Sequence, residues 1–357
     1  PARTAQQVVL HLCGAEKLTP AEPTGYDADG VWLGPDMADV RGQLVARRAL
    51  EVAACGGHNL VFVGSPGSGK SMLAKRLPGI LPPLTYEEAV ETSAVYSVAG
   101  LVPNGKGLVR TRPFRSPHHS VSATAIAGGG SVPRPGEVSL AHNGVLFLDE
   151  LPEFSREALE VLRQPLEDGI VTVSRVHGSA TYPCKFMLVA AMNPCKCGYL
   201  GHPTRPCSCT PSAVDQYLRR ISGPLMDRID LHVHVEPVAY GDLAQAADGE
   251  SSAAIRARVA AVRKLQRERY KALPRVYCNA QLPGNRLRQF CPMTPAAEAV
   301  LRAAFERMGL SARAYDRILR VSRTVADMDG SEVLDSRHIA EAVQYRSLDR
   351  RFTPVSL

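Results

Sequence analysis

The chain has 357 residues, of which 45% are hydrophobic, 22% charged and 6% aromatic, a composition typical of a globular protein long enough for two packed domains. Its formal net charge of +7 and its pI near 9.0 favour an anionic partner without identifying one. No run of about 18 apolar residues occurs, so we expect no transmembrane helix and no membrane partner. A cytoplasmic location is the default expectation.

The first residues are typical of the last part of a preceding segment. Pro1 stands where an initiator Met would be, and apolar residues at positions 8, 9, 10 and 12 begin in the middle of a pattern. We expect residues 1–34 to be the tail of a preceding domain or a linker.

Short apolar runs alternate with helical patterns over the next two hundred residues or so. The strands are predicted at residues 59–63, 145–148 and 186–190, and the helices at 37–55, 71–77 and 155–166. This alternation predicts an α/β domain with a parallel sheet and helices on both faces, which we place at residues 35–237.

Two further regions differ from this pattern. A long insertion at residues 82–143 separates the first helix from the second strand, and loops of that length are usually functional or carry small elements of their own. After His234 the strand patterns stop, and the pair Thr294-Pro295 predicts a helix start with an N-cap followed by proline. We therefore predict a helical lid domain at residues 238–357.

A phosphate-binding loop of the pattern G-x-x-x-x-G-K-[ST] follows the first predicted strand and precedes a helix: Gly64-Ser65-Pro66-Gly67-Ser68-Gly69-Lys70-Ser71. Its glycines allow backbone N–H groups to point at phosphate oxygens. Lys70 is expected to bridge the β- and γ-phosphates, and Ser71 to place its hydroxyl on Mg²⁺. The alternative, a glycine-rich turn with a surface lysine, fits this strand and helix context poorly. We predict ATP and Mg²⁺ as cofactors.

Carboxylates follow the second predicted strand at its carboxyl end, where open α/β sheets bind ligands. Asp149 is expected to hold Mg²⁺ through water, and Glu150 to polarise the attacking water. Asn193 follows the third predicted strand, and we expect its amide to orient the same water. A turn-forming asparagine before proline is the alternative interpretation.

Several longer strings are more specific than these motifs. They are Asp39-Val40-Arg41-Gly42-Gln43, Gly56-Gly57-His58-Asn59, Pro113-Phe114-Arg115-Ser116-Pro117-His118-His119, Arg134-Pro135-Gly136-Glu137, Leu148-Asp149-Glu150-Leu151-Pro152-Glu153-Phe154, Asn193-Pro194-Cys195 and Ser222-Gly223-Pro224-Leu225-Met226-Asp227-Arg228-Ile229-Asp230. Together with the phosphate loop, they resemble the competence protein ComM group, also called the YifB group, of magnesium-chelatase-like AAA+ ATPases. The resemblance covers roughly residues 35–346. It implies an AAA+ P-loop fold with a helical lid, preceded by a Lon-like domain of which residues 1–34 would be the tail.

The resemblance implies a hexameric ring that hydrolyses ATP and drives branch migration of DNA in natural transformation and recombination. Arg228 resembles the arginine finger that reaches the γ-phosphate bound by a neighbouring subunit. A surface ion pair with Asp227 or Asp230 is the alternative, and Arg219 and Arg220 are rivals for the role.

A second arginine role also comes from the resemblance. Arg313, at the start of a predicted lid helix, resembles the sensor-2 arginine that contacts ATP from the helical domain. Arg317 and Arg320 lie on the same predicted helix, so the choice of Arg313 rests on the resemblance.

Four of the nine cysteines fall within residues 195–209, as C-x-C, nine intervening residues and C-x-C: Cys195, Cys197, Cys207 and Cys209. Four thiolates can form a tetrahedral structural Zn²⁺ site, which leaves no open position for catalysis. A reduced, metal-free loop is the alternative. Disulfides are disfavoured by the expected compartment.

Two basic segments are candidates for contact with nucleic acid. Residues 169–185 predict a β-hairpin with Arg175 and His177 near its tip, which related ring ATPases project into the central pore. The insertion offers a second pore element with the cations Arg110, Arg112, Arg115, His118 and His119. For both segments a subunit contact is an equal alternative, and metal binding by the two histidines is a weaker one.

The leading functional hypothesis is a ring motor acting on single-stranded or branched DNA. The alternatives are a chelatase-type ATPase that powers metal insertion into a tetrapyrrole, and a protein unfoldase. No Ser-Lys protease dyad is assignable within the sequence, so we expect no peptidase activity from these residues.

Overall fold

The structure is a computed structural model that describes residues 2, 4–20, 32–102, 107–175, 178–238, 241 and 249–346. Its strands in chain order are β1 (Leu60–Val63), β2 (Phe114–Arg115), β3 (Gly128–Gly129), β4 (Arg134–Pro135), β5 (Val145–Leu148), β6 (Ile170–Arg175), β7 (Gly178–Pro183), β8 (Met187–Met192) and β9 (Leu231–His234). Its α-helices are α1 (Ala5–Leu12), α2 (Leu44–Gly56), α3 (Lys70–Ala74), α4 (Leu77–Ile80), α5 (Tyr86–Val98), α6 (Ala123–Ala127), α7 (Glu137–Leu140), α8 (Arg156–Glu160), α9 (Arg163–Asp168), α10 (Pro211–Leu218), α11 (Gly223–Met226), α12 (Ser252–Tyr270), α13 (Leu287–Phe290), α14 (Pro295–Met308), α15 (Ala312–Met328) and α16 (Ser336–Gln344). Short 3₁₀ helices occupy Met37–Asp39, Leu151–Glu153, Asn279–Gln281 and Gly284–Arg286.

The central sheet has five parallel strands in the order β2-β5-β8-β1-β9. Three of these strands lie where the apolar runs predict them, and the predicted α/β sheet is confirmed. The two outer strands, β2 and β9, were not predicted from the sequence. Strand β2 has only two half-buried residues, and β9 alternates histidines with apolar residues, so neither forms a continuous apolar run.

Each face of the sheet has its own hydrophobic core, because successive side chains of a strand point to opposite faces. Leu60 and Phe62 point to a core shared with α2 and the C-terminal helices, including Val259 of α12 and Ile318 of α15. Val61 points to the other core, which contains residues of α8 and of the β6–β7 hairpin. The C-terminal helical region therefore packs on one face of the sheet. The predicted boundary at residue 238 remains a prediction.

The predicted helix at residues 37–55 is wrong as a single element. It is a 3₁₀ turn followed by α2, and Gly42 and Gln43 between them have positive φ of 59° and 54°. The Gln43 side chain explains the break: its Nε2 donates to the carbonyl oxygens of Ser68 at 3.2 Å and Glu236 at 2.7 Å. The backbone turns here to tie the phosphate loop to the end of the sheet.

The predicted helices at residues 71–77 and 155–166 are each two short helices, α3 with α4 and α8 with α9. In both cases a proline, Pro78 or Pro165, lies in the first turn of the second helix. Proline cannot continue a preceding helix, because it lacks an N–H group and its ring clashes with the turn before it.

The insertion is a folded unit whose two ends are tied together by one arginine, whose side chain is 12% exposed. The Arg112 guanidinium donates to the carbonyl oxygens of Pro82 at 2.6 Å and Asn143 at 2.7 Å, and it pairs with Glu88 at 2.9 Å. Burial lowers the pKa of Arg112, although the charge of Glu88 acts in the opposite direction. Arg115 is likewise engaged by Glu137 at 2.7 Å. Two of the five cations suggested for a pore element therefore hold the insertion together. Within the described residues no helix is long and apolar enough to span a membrane.

Candidate nucleotide-binding site

The carboxyl ends of three adjacent strands bring the predicted nucleotide-binding residues together. Gly64 follows β1, Asp149 follows β5 and Asn193 follows β8, and the sheet order places β8 between the other two. Parallel strands present their carboxyl ends at the same edge of a sheet, where ligands of α/β folds bind. We call this side of the sheet the carboxyl edge and the opposite side the amino edge.

Lys70 is the cation of the phosphate loop. Its Nζ donates to the carbonyl oxygens of Gly64 and Ser65, each at 2.8 Å, and to Oδ1 of Asn193 at 3.2 Å. Burial lowers the pKa of Lys70, and the negative charges of Asp149 and Glu150 raise it in part. The loop therefore holds this ammonium group over its own concave side, where a phosphate chain would meet it.

The residues expected to hold Mg²⁺ are already in contact. The Ser71 hydroxyl donates to Oδ2 of Asp149 at 2.6 Å, across a sequence separation of 78 residues. A hydroxyl and a carboxylate oxygen are the hard oxygen ligands that Mg²⁺ prefers. The donor set at this position therefore fits a magnesium ion.

The phosphate loop also fits an anion in its shape and its hydrogen-bonding capacity. Gly67 and Gly69 have positive φ of 79° and 92°, which side-chain-bearing residues rarely adopt. The hydroxyls of Ser65 and Ser68 are buried and have no hydrogen-bond partner among the described residues. Such buried unpaired donors are costly unless a ligand satisfies them, and phosphate oxygens would do so.

Glu150 differs from its neighbour in being exposed, and it has positive φ of 53°. Oε2 of Glu150 lies 3.3 Å from Nδ1 of His119, which comes from the insertion. The ring of His118 stacks on His119 with centroids 4.0 Å apart. The sequence offered these histidines only as pore or metal residues, and their contact with the predicted catalytic carboxylate depends on the fold of the insertion.

The four clustered cysteines lie directly beyond Asn193. The Sγ atoms of Cys195, Cys197 and Cys207 are 3.4–3.6 Å apart, and all four sulfur atoms lie within 4.8 Å of one another. Four thiol ligands at these separations fit a tetrahedral metal site. The structure thus brings together all four of the residues predicted to bind zinc.

The two arginines predicted to contact ATP, Arg228 and Arg313, lie at the amino edge of the sheet. Asn59, directly before β1, donates from Nδ2 to the carbonyl oxygen of Arg228 at 2.9 Å, and Arg313 pairs with Asp227 at 3.6 Å. Strand β1 has four residues, which corresponds to roughly 13 Å between the two edges. Neither arginine is therefore placed beside Lys70 of its own chain.

Arg228 is held in position by two contacts, and part of its hydrogen-bonding capacity is unused. Its side chain is 10% exposed, pairs with Glu167 at 2.5 Å and donates to the carbonyl oxygen of Pro224 at 2.6 Å. Its Nε is buried and has no hydrogen-bond partner among the described residues. The ion pair with Asp227 or Asp230, the alternative considered from the sequence, is not the pair that forms.

The rival arginines lie elsewhere. Arg220 pairs with Glu153 at 2.9 Å, just beyond the carboxyl end of β5. Arg219, directly after α10, makes an exposed pair with Asp215 of that helix. Arg317, one of the alternatives to Arg313, is occupied by Asp230 at 2.5 Å. Arg228 and Arg313 together line a cleft of about 950 Å³ at the amino edge, between the sheet and the C-terminal helices.

The predicted hairpin at residues 169–185 is the antiparallel pair β6 and β7. Val171 and Val173 pack one face of it into the core, and the other face carries hydroxyl pairs, Thr172 with Thr181 and Ser174 with Ser179. Two residues near the tip, Arg175 and His177, were predicted to contact phosphate. His177 and the side chain of Arg175 lie outside the described part of the chain.

The sheet is parallel, with a phosphate loop after β1 and a carboxylate pair after β5, and a C-terminal helical region packs on it. These features define an AAA+ P-loop NTPase fold. A family model described as "Magnesium chelatase, subunit ChlI" matches residues 36–243, and one for its C-terminal part matches residues 249–346.

Individual relatives agree with the family models. The chain is 46% identical to "Uncharacterized protein YifB" of Escherichia coli K12 over 97% of its own length and 66% of that protein. It is 44% identical to "Competence protein ComM" of Haemophilus influenzae over 99% of its length and 69% of that protein. Over 44% of its length it is 30% identical to "Magnesium-chelatase 67 kDa subunit" of Chlorobaculum parvum, covering 23% of that protein.

The chain belongs to the magnesium-chelatase ChlI family, in the group that contains YifB and ComM, as the sequence strings predicted. It spans about two thirds of the length of these two relatives.

Proposed function

We propose that the chain hydrolyses Mg²⁺-ATP as one subunit of a closed ring. The observation that carries this proposal is the separation of the predicted site into two halves, with Lys70 at the carboxyl edge and Arg228 at the amino edge. A head-to-tail contact between copies joins two different edges, and such contacts form a ring when the rotation from one copy to the next closes. One subunit's arginines then meet the phosphates bound by the next, and a hexamer is the ring that we propose.

Each residue has a defined task in this proposal. Lys70 binds the β- and γ-phosphates, and Ser71 and Asp149 would hold Mg²⁺, whose charge would offset the negative charge of the phosphates. Glu150 accepts a proton from the attacking water, and Asn193 orients that water. The neighbour's Arg228, with Arg313 beside it, stabilises charge that develops in the transition state, an effect that is on the order of 10³–10⁵ in rate for arginine fingers.

This arrangement changes the expectation for Arg313. From the sequence, Arg313 was expected to contact ATP from the helical domain. Its side chain instead lies at the amino edge with Asp227, about one strand length from Lys70 of the same chain. We therefore propose that Arg313 also contributes to the neighbour's site.

Mixing two inactive variants tests the ring. Arg228→Ala is expected to bind ATP and lose most hydrolysis, and Lys70→Ala to lose binding. A mixture forms interfaces with an intact Lys70 on one side and an intact Arg228 on the other, so activity should reappear. Arg219→Ala, which removes an exposed ion pair, is the control and should hydrolyse at the parental rate. Parental hydrolysis by Arg228→Ala alone would refute the assignment.

We propose DNA, single-stranded or branched, as the partner that the ring moves, in the cytoplasm. The net charge of +7, the relative named as a competence protein and the hydroxyl-bearing face of the β6–β7 hairpin support this proposal. The chelatase-type alternative is supported by the 30% identity to a magnesium-chelatase subunit. ATPase rates decide between them: forked DNA should raise the rate, whereas stimulation only by a tetrapyrrole-binding partner would favour the chelatase role.

We also propose that the cysteine cluster holds one Zn²⁺ per chain as a structural ion. The four convergent Sγ atoms support this proposal, because four thiolates complete a tetrahedral shell. Metal analysis of anaerobically purified protein should find about one zinc per chain, and Cys197→Ser should release it. Protein free of metal would remove the proposal.

A further inference from the structure

The cysteine turn, residues 195–209, is in direct contact with the phosphate loop. Gly198 has positive φ of 86°, and a Cβ atom built on it would lie 2.5 Å from Cδ of Pro66 and 2.7 Å from its Cγ. Real Cβ atoms do not approach a ring carbon that closely. The backbone of the cysteine turn therefore lies as close to the phosphate loop as a glycine permits.

Apart from Cys195, which is fully buried, the turn is buried only where it meets the phosphate loop. Among residues 196–209 only Gly198 is buried, and the remaining residues are half-buried or exposed. A segment with so little apolar burial has little hydrophobic free energy to keep it in one conformation. Metal coordination by four thiolates would supply that free energy instead, since binding to a structural zinc site is itself a source of folding free energy.

A second connection runs along the chain. Cys195 is fully buried and lies two residues after Asn193, whose Oδ1 accepts a hydrogen bond from Lys70 at 3.2 Å. The same Cβ atom built on Gly198 would lie 3.8 Å from Cγ of Asn193. The cysteine turn is therefore linked to both parts of the site: it approaches the phosphate loop at Pro66, and it begins two residues after Asn193 in the chain.

We propose that the metal-filled cysteine turn positions the ATP site, so that nucleotide affinity depends on the metal although the metal touches no nucleotide. This proposal rests on the nucleotide site proposed above. Gly198 is the positioning residue, because it transmits the conformation of the turn to Pro66. Removal of the metal frees the turn, and the phosphate loop loses the surface against which it packs.

Two glycines in the same turn give a matched pair of variants. Gly198→Ala and Gly201→Ala both place a side chain at positive φ, 86° and 76°, so both carry a similar backbone strain. The added methyl group meets Pro66 at the first position and nothing within 4 Å at the second. We expect Gly198→Ala to keep its zinc and to bind a fluorescent ATP analogue about tenfold more weakly or worse, a cost of about 1.4 kcal/mol, whereas Gly201→Ala stays close to the parent.

A second change tests the contact itself. Pro66→Ala removes the ring that the new methyl group meets, so Gly198→Ala with Pro66→Ala should bind the analogue more tightly than Gly198→Ala alone. Equal affinities of Gly198→Ala and Gly201→Ala, or no gain from the second change, would overturn the positioning role.

The metal itself is tested in the parental protein. Zinc removal by a chelator, followed by titration with the same analogue, should weaken binding, and added Zn²⁺ should restore it. Unchanged affinity after proven removal overturns the dependence on metal. Parental protein that lacks zinc and still binds the analogue overturns both the zinc proposal and the dependence of affinity on metal, and the glycine pair then reports only the contact with Pro66. Parental protein that binds no nucleotide refutes the proposed function.

Discussion

Asp230 joins the sheet to the C-terminal helices through its contact with Arg317, so its replacement tests what holds the two together. It lies directly before β9, is 5% exposed, and its Oδ1 is 2.5 Å from Nη1 of Arg317 on α15. Its Oδ2 contacts the backbone N–H of Asn59 at 3.2 Å and Nδ1 of His58 at 3.3 Å. Burial raises the pKa of Asp230, but the charge of Arg317 and the hydrogen bond from His58 outweigh it and hold the pKa well below its usual range.

Asp230→Asn removes this charge and leaves Arg317, only 15% exposed, without its counter-ion. Loss of one partner of a buried pair costs about 3–5 kcal/mol, because the other charge stays buried and uncompensated. A chain of this length has an unfolding entropy near 0.75 kcal/mol/K, so the melting temperature should fall by roughly 4–7 °C. The loss should be largest at neutral pH. A depressed native pKa contributes stability above the unfolded value, near 3.9, that disappears as the pH falls through the native pKa.

Thermal unfolding at several pH values checks both expectations. Glu298→Gln is the control, since Glu298 makes an exposed pair with Arg302 on one helix, and its loss should cost less than about 0.5 kcal/mol. The difference between parent and Asp230→Asn should shrink as the pH falls below about 4. If Asp230→Asn melts within a degree of the control variant, or if its deficit is independent of pH, the reasoning from burial and charge is wrong.

Three further variants test single contacts. Glu150→Gln should bind ATP and fail to hydrolyse it, because the proton acceptor is lost, as ATP binding and single-turnover assays would show; parental turnover would displace Glu150 from the role. Asn193→Ala should retain binding and lower kcat about 100-fold, and a loss of affinity alone would indicate that it serves only Lys70. Arg112→Met should destabilise the chain by about 1–3 kcal/mol, since the carbonyl oxygens of Pro82, Pro83 and Asn143 lose a donor and Glu88 loses one of its partners; an unchanged melting temperature would contradict this account of the insertion.

Local patterns predicted the parts of the site that are contiguous in the chain. The phosphate loop combines its ligand groups within eight residues, and Asp149 with Glu150 directly follows an apolar strand, so sequence spacing alone brings their chemistry together. The same applies to the three inner strands, whose continuous apolar runs reflect burial on both faces. Elements without such a run were missed or merged: β2 is too short, and the break before α2 depends on Gln43 reaching the distant backbone of Glu236.

By itself the sequence determined the class of fold, the phosphate loop and the four clustered cysteines, because each is encoded by neighbouring residues and short-range sterics. Only the tertiary structure decided that Arg228 and Arg313 lie at the opposite sheet edge from Lys70, and that His119 meets Glu150. It also decided that Gly198 lies against Pro66, across 132 positions of the chain. Such contacts arise when the helices and insertion pack on a sheet whose strand order differs from the chain order, and no local spacing records that order.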